Sequence, residues 1–506
     1  MEDYGVLSIV PPALSICLAI YTRNIILSLA IGGFSGALIL TNFNPFFAIV
    51  SLMEDHVFTQ LASGSNPQVI AIMLVIGGFI QMLDKSGGAK AFSSTIVKVI
   101  SNPVRAQLAA WLAGLSVFFT DSGNALIVGP LFKNVFTELK ICREKLAYIL
   151  DTTASPVSIL VPFVGWGVYI MSLIENSYTD VGLVGEPFEV LLSVWPYQFY
   201  AFLALSSIPM ILMTGKDFGP MARAQTAFNK ALKEGTLEKE EDEELPPEYD
   251  NISEKPRLIT VVLPLSIMLF SMIVFIGYFA YSEGIKSIHV RSGICLSYLF
   301  ASIACAYTMK RYKGITFNRS INHFVRGMEK LVFICLVLVL AWSLSSICKE
   351  LHTGDYFAAL IGERIDPNFI PVIVFLLGAL MSFATGSSYG TFAILMIIVV
   401  PVAHTLNAPL VLTIAAVLSG GLFGDHTSPI SDTTVLASMG AGCPHIDHVS
   451  TQLAYALVTG SMTVLAFVVA ALYQTPYIIL GMIVVQFFVI NIIMKLYGHD
   501  TRGDEA

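Results

Sequence analysis

From Gly424 the chain reads Gly-Asp-His-Thr-Ser-Pro-Ile-Ser-Asp-Thr-Thr, placing two carboxylates, five hydroxyls and an imidazole within eleven residues. Asp425, Thr427, Ser428, Ser431, Asp432 and Thr433 supply hard oxygen donors, the kind that coordinate hard cations, and His426 sits among them. Pro429 lacks an N–H and frees carbonyls one turn earlier, adding neutral oxygens. A sodium ion is the natural occupant of such a set. A second version lies upstream, Asp151-Thr152-Thr153-Ala154-Ser155-Pro156-Val157-Ser158, with one residue more between acid and proline. Two shorter polar runs accompany these, Thr120-Asp121-Ser122-Gly123 followed by Asn124, and Thr385-Gly386-Ser387-Ser388. A carboxylate withdrawn from water binds a proton more readily. It then holds either a proton or a sodium ion, and competition at one site, coupled to alternating access, is sufficient for antiport. Asp151, Asp425 and Asp432 are the expected sodium ligands.

Each aspartate taken singly also fits a buried structural partner or a helix cap, and Asp425 is placed to act as an N-cap. Four aspartates at related positions fit a site better than four independent accidents. Asp84, Lys85 and Glu175 read as interfacial charges, and His404 as a satisfied or interfacial histidine. Cys443-Pro444-His445-Ile446-Asp447-His448 looks superficially like a metal site, but its proline and position favour an interfacial turn. An intramembrane metal enzyme would need that cluster together with His426, and neither an HExxH nor a GxSxG motif supports it. Trp111, Trp166, Trp195 and Trp342 suit an aromatic belt, with Trp166 and Tyr169 alternatively lining a substrate path.

These polar runs are set in a chain starved of charge. Of 506 residues, 55% are hydrophobic and 13% charged, and residues 214–257 alone hold 18 of the 64 charges. So few charges cannot cover a soluble surface, which makes this an all-α polytopic membrane protein with one hydrophilic insert. A net charge of −8 without a basic tract leaves nucleic-acid binding no electrostatic footing. Val6 to Tyr21 lacks a basic leader and a small-residue cleavage site, so it reads as a retained span. Seven cysteines without a CxxC pair indicate neither a disulfide framework nor a zinc site.

Spanning the hydrocarbon core takes about 20 apolar residues. Candidate spans are 6–22, 24–41, 67–83, 191–213, 258–281, 289–309, 331–347, 369–385, 388–406, 452–473 and 475–496, about 11 in all, with interrupted stretches at 106–119, 122–132, 146–174 and 410–440. Short basic loops stay cytoplasmic. Lys85, Lys90, Lys98 and Arg105, then Lys133, Lys140, Arg143 and Lys145, then 310–330 read inside; acidic 54–66, 175–190 and 348–368 read outside. Segments 106–119 and 122–132 therefore enter and leave from one side, a re-entrant hairpin tipped by Thr120–Gly123. Segments 369–385 and 388–406 form a second hairpin from the opposite side, tipped by Thr385–Ser388. Each hairpin follows three spans and precedes a proline-broken helix, giving an inverted-topology repeat with two re-entrant hairpins and two broken helices. Such paired breaks point to a transporter's midplane site. The expected divisions are a first repeat 1–213, a cytoplasmic, solvated linker 214–257 with its acidic run Glu238 to Glu244, a second repeat 258–496, and a cytoplasmic tail 497–506. The N-terminus is expected outside.

The string Ser419 to Thr434, with Arg143 to Pro156 and Thr385 to Phe392, resembles the NhaC family of sodium/proton antiporters, within the ion-transporter superfamily. Specific matching covers about 111–175 and 378–460. Asp425, His426, Ser428, Asp432 and Thr433 match the second-half motif, Asp151, Ser155 and Pro156 the first, and Asn124 an asparagine of the first hairpin. The resemblance implies sodium/proton exchange by a hairpin-bearing part moving against a scaffold, in a homodimer in a bacterial cytoplasmic membrane, with no cofactor beyond the transported ions. The chain departs from the family at Asp121, where many members carry two adjacent acids, and at Ala454, where a proline is expected. Some relatives exchange organic acids such as malate and lactate, so a sodium- or proton-coupled organic-anion or amino-acid carrier stands as the alternative.

Overall fold

The computed structural model describes residues 4–88, 91, 100, 102–234, 257–282, 286–361 and 364–500. Lys90, Lys98, the acidic run Glu238 to Glu244 and Glu363 lie outside them. Among the described residues the chain is helical apart from one two-residue strand pair. Ten helices have the length and apolarity of a membrane span, or up to 12 counting two bent pairs, against the eleven expected. The first half comprises α1 (Val10–Thr22), α2 (Ile25–Leu40), α3 (Pro45–Ala62), α4 (Asn66–Ser86), α5 (Pro103–Ser116), α6 (Asp121–Glu138), α7 (Arg143–Thr152), α8 (Gly165–Asp180), α9 (Pro187–Val194) and α10 (Phe199–Thr214). After the insert come α11 (Gly219–Glu234), α12 (Ile259–Ser282), α13 (Ser287–Lys313), α14 (Phe317–Glu350), α15 (Thr353–Ile361), α16 (Ile370–Thr385), α17 (Ser388–Thr405), α18 (Leu410–Thr427), α19 (Asp432–Ala441), α20 (His445–Tyr473) and α21 (Ile478–Tyr497).

The sequence dictates the turns that matter. In the first hairpin the Thr120 side chain accepts the Gly123 N–H at 3.1 Å and caps α6. In the second, Gly386 closes α16 at φ +64°, and the Ser387 side chain accepts the Gly390 N–H at 3.3 Å, capping α17. An N-cap oxygen satisfies one of the donors that a helix start leaves open. Both broken helices are present. After α7 a single turn, Ser155–Ser158, intervenes before α8, and residues 428–431 separate α18 from α19. The halves interlock. The first hairpin packs on α7 and on α19 from the second half, while α17 of the second hairpin packs on α18 and on α8 from the first. At the α6–α19 crossing a Cβ on Gly129 would lie 2.5 Å from the Gly440 backbone, so only glycine permits that approach.

Polar contacts between the loops fall into two groups. Arg291 pairs with Glu175 at 2.8 Å, Asn176 bonds Asn66, and Lys349 approaches Asp180 at 3.8 Å. Separately, Gln225 accepts the Cys142 N–H, Lys145 pairs with Asp217, and Lys313 bonds the Lys85 carbonyl.

Three expectations change. Residues 216–234 of the insert are not a solvated linker: β1 (Lys216–Asp217) pairs antiparallel with β2 (His499–Asp500), and α11 packs on α7 and α20. Met221, Ala222 and Gln225, at i, i+1 and i+4, give α11 a buried side, which the surrounding charge density masked. Residues 235–256 lie outside the described residues. The stretch after span 24–41 is α3, bent 115° from α2 and started by the Asn44 side chain, which accepts the Phe46 and Phe47 N–H groups. Trp342, placed in an aromatic belt, is fully buried at 1% exposure, because its face of α14 meets the bundle.

Candidate functional site

The two hairpin tips and both helix breaks face one cavity of about 340 Å³. Thr120, Asp121, Ser122 and Gly123 line it from the first hairpin, and Gly386, Ser387, Ser388 and Tyr389 from the second. Ser155 and Ser158 come from the first break, Asp425, Ser431, Asp432 and Thr433 from the second, and α4 and α14 close the remaining wall.

Asp425 stands in the last turn of α18 and is 6% exposed. It is not an N-cap, since the helix ends two residues later instead of beginning there. Its Oδ2 accepts the Ser388 hydroxyl at 2.7 Å, tying the break to the second hairpin, while its Oδ1 has no partner. The Ser155 and Ser158 hydroxyls, 3% and 2% exposed, are likewise buried without a partner. Buried polar atoms without partners are expensive, about 1–3 kcal/mol each, and these three, with Asp84 Oδ1 as a fourth, surround one cavity suited to a ligand. Asp432 begins α19 and is exposed to the cavity, beside Thr433, whose hydroxyl lies 3.1 Å from that of Ser431. Asp121 is better satisfied. Its Oδ1 accepts the Ser122 N–H at 2.6 Å and hydroxyl at 3.0 Å, and its Oδ2 accepts the Trp166 indole N–H at 3.1 Å. Trp166 lines the cavity, so it belongs to the site and not to a belt; Tyr169 instead donates to the Tyr389 carbonyl at 2.7 Å.

Asp151 is held elsewhere. It is 1% exposed and does not line the cavity. Its Oδ2 accepts Thr434 Oγ1 at 2.9 Å and Gln452 Nε2 at 2.6 Å, with His448 Nε2 at 3.5 Å. Gln452 also donates to the His426 carbonyl. The His426 ring lies between Tyr200, whose hydroxyl is 2.7 Å from Nδ1, and Thr152, whose hydroxyl is 3.3 Å from Nε2. The result is a closed polar hub joining α7, α10, α18, α19 and α20.

Several expected ligands face other work. Asn124 donates to the Leu150 carbonyl at 3.0 Å and to Thr153 Oγ1 at 2.9 Å, tying α6 to the end of α7. Thr427 donates back to the Phe423 carbonyl, Ser428 to the Phe383 carbonyl at 2.7 Å, and Thr385 to its own helix at the Ser382 carbonyl. These hydroxyls fasten backbone and do not open to the cavity.

Gln452 and Tyr200 were not singled out from sequence, Thr434 and Ser158 stood in the two motifs without being assigned as ligands, and His448 was read as part of an interfacial turn. His445, His448 and Gln452 fall at i, i+3 and i+7 on one face of α20; that periodicity was the available signal, hidden because Pro444 made the segment look like a turn. His445 Nε2 reaches the Pro429 carbonyl at 2.7 Å and its Nδ1 the Ser438 hydroxyl at 3.1 Å, so it holds the second break. Asp84 is no simple interfacial charge, for it lines the cavity with Lys330.

The family model described as the Na+/H+ antiporter family matches residues 157–472, taking in the second hairpin, the second broken helix and the α20 face that supports it. The chain belongs to the Na+/H+ antiporter family. It is accordingly a multi-pass membrane protein of the transporter class. A protein of Haemophilus influenzae of uncharacterised activity is 30% identical over 92% of this chain and 91% of its own length. The malate-2H+/Na+-lactate antiporter of Bacillus subtilis is 30% identical over 34% of this chain and 36% of its own. In fold, the chain is similar to Neisseria gonorrhoeae MtrF, a member of a class of antimetabolite efflux pumps, with a TM-score of 0.54 at 13% identity over 84% of each chain.

Proposed function

We propose that this antiporter-family protein exchanges sodium for protons across a bacterial cytoplasmic membrane by alternating access, with Asp425 as the carboxylate that takes either ion. The observation carrying this reading is the unpartnered Asp425 Oδ1 at a helix break, in a cavity that also holds the unpartnered Ser155 and Ser158 hydroxyls. A hard cation is the ligand whose needs match anionic and hydroxyl oxygens together. Asp432 supplies a second carboxylate within the same cavity. Asp151, Thr152 and His426 then position the breaks, and Asp121 with Ser387 and Ser388 forms the tips between which the ion sits. Competition follows from charge: a proton on Asp425 removes the negative charge that sodium requires.

The repeat reading supports alternation. Hairpins entering from opposite sides, as an inverted pair, would meet at midplane, and their tips share one cavity. In this reading the insert and C-terminus lie in the cytoplasm and the N-terminus outside, and a homodimer is the assembly that the family resemblance implies. No cofactor is required by this scheme. The organic-anion alternative, raised by the malate and lactate relative, sits less well with a lining of four carboxylates, Asp84, Asp121, Asp425 and Asp432, against the single ammonium of Lys330.

The test uses proteoliposomes with a preset pH gradient. Sodium alone should collapse the gradient, and Asp425→Asn and Asp432→Asn should abolish the collapse. If sodium moves protons only when an organic acid is also present, the reading fails.

A further inference from the structure

The cavity is larger and more apolar than a bare ion needs. At about 340 Å³ it has room for about ten waters at their liquid volume of about 30 Å³ each, and it reaches the size at which pockets for small organic ligands begin, about 300 Å³. Its two sides differ in character. The hairpin and break side carries Asp425, Asp432 and the hydroxyls of Ser155 and Ser158. The α4 and α14 side is largely aliphatic, with Gln81, Asp84 and Lys330 as its polar members: Met73, Ile76 and Ile80 fall at i, i+3 and i+7 on α4, and Leu331 and Ile334 at i and i+3 on α14. Each helix thus presents a run of hydrocarbon side chains to the cavity beside those polar ones. An apolar wall opposite a cation site contributes nothing to a hydrated sodium ion, whereas it stabilises a solute with a hydrocarbon body. The lining's excess of carboxylates selects the sign of that solute.

We infer that the cavity takes a small aliphatic organic cation, an ammonium or guanidinium group on a short hydrocarbon body, at the same carboxylates that take sodium. The head group bonds the unpartnered Asp425 Oδ1 and the two serine hydroxyls, and the body lies along the α4 and α14 wall. This rests on the cation-site reading of Asp425 given above. Because the organic cation and sodium carry the same charge, either can satisfy the site, and binding of one excludes the other.

The test is displacement of radiolabelled sodium from the purified full-length protein by guanidinium and by methyl-, ethyl-, propyl- and butylguanidinium. Alkylguanidiniums stay charged at all working pH values, so they report occupancy and not gradient leakage. Each added CH₂ should tighten displacement, by up to about fourfold per group buried. Asp425→Asn should lose binding of both sodium and guanidiniums. Ile334→Ser should flatten the chain-length series while still binding sodium; Ile80→Ser serves the same purpose if the first variant does not fold. A flat series in the parent protein, no displacement by any member, or a slope that survives both wall variants overturns the inference while leaving sodium binding in place. If the parent protein binds no sodium at all, the cation-site reading itself falls, and this inference with it.

Discussion

Gly386 is the residue at which the hairpin geometry can be tested most cleanly. It sits at φ +64°, and a Cβ built there lies 2.7 Å from the Ile430 carbonyl oxygen. Replacing it with alanine therefore adds two distinct costs. The left-handed backbone costs an L-residue about 1–2 kcal/mol. The clash is separate: restoring an ordinary 3.4 Å contact requires about 0.7 Å of movement between the hairpin tip and the second break. Gly182 provides the control, since it holds φ +71° with nothing within 4 Å of an added Cβ. Gly182→Ala carries the backbone cost alone. Sites must be held to about 0.5 Å for full function, so Gly386→Ala should weaken sodium-dependent gradient collapse about tenfold or more, while Gly182→Ala leaves it near the parent level. Both variants should reach the membrane and melt cooperatively, because neither touches the scaffold helices. Equal effects of the two substitutions, or full activity in Gly386→Ala, would show that the tip-to-break contact does not set the ion site.

Four further outcomes follow from the geometry. Gln452→Leu removes a donor from both Asp151 and the His426 carbonyl, and a bond to a charged group is worth about 1.5–3 kcal/mol; thermal melting should fall accordingly, with slowed exchange. Asp217→Asn leaves the Lys145 ammonium buried against a neutral partner, and breaking such a pair costs about 3–5 kcal/mol; the paired change Lys145→Met with Asp217→Leu should recover part of that loss in the same melt. Trp166→Phe deletes the indole donor to Asp121 and should raise the sodium concentration for half-maximal exchange without abolishing it. Lowering pH should raise that half-maximal concentration in the parent protein, since protons and sodium compete, and a pH-independent value would contradict a shared carboxylate.

Composition and loop charge made much of the fold legible in advance. A 3.6-residue apolar periodicity is absent where a helix is buried all round, yet length alone reveals a span, and Pro156 and Pro429 announce the breaks. What sequence could not reveal is direction. Asp151 and Asp425 occupy matching places in matching motifs, yet one faces a closed hub and the other an open cavity. That difference is set by partners distant in sequence, Ser388 for Asp425, and Thr434 and Gln452 for Asp151. The bonds of Thr385, Thr427 and Ser428 were hidden for a related reason: threonine and serine in or beside a helix can return their proton to a nearby carbonyl, and composition does not distinguish that from ligation. The described part of the insert escaped notice because it docks on α20 and the N-terminal region of α7 and has no core of its own.

The separation of the two aspartates also bears on how binding could be coupled to movement. Asp425 and His426 are consecutive, and neighbours in a helix point about 100° apart. From one turn of α18, Asp425 enters the cavity while His426 enters the hub with Tyr200 and Thr152. Side chains hold that turn through Asp425, His426 and Ser428, and two further bonds reach its carbonyls. A helix end leaves its last carbonyls without intrahelical partners; here Gln452 takes the His426 carbonyl and His445 the carbonyl of Pro429 beyond it. A rotation of the turn that served a bound ion would therefore change the hub's bonds at once, with α20 as the element that feels it. Gln452 bonds His426 and Asp151 through a single Nε2, so the two broken helices share one donor. His445→Ala, which touches neither aspartate, separates this from simple ligation: it should leave sodium binding in place while slowing exchange. Loss of binding instead would mean that the break is part of the ion's coordination and not its transmission.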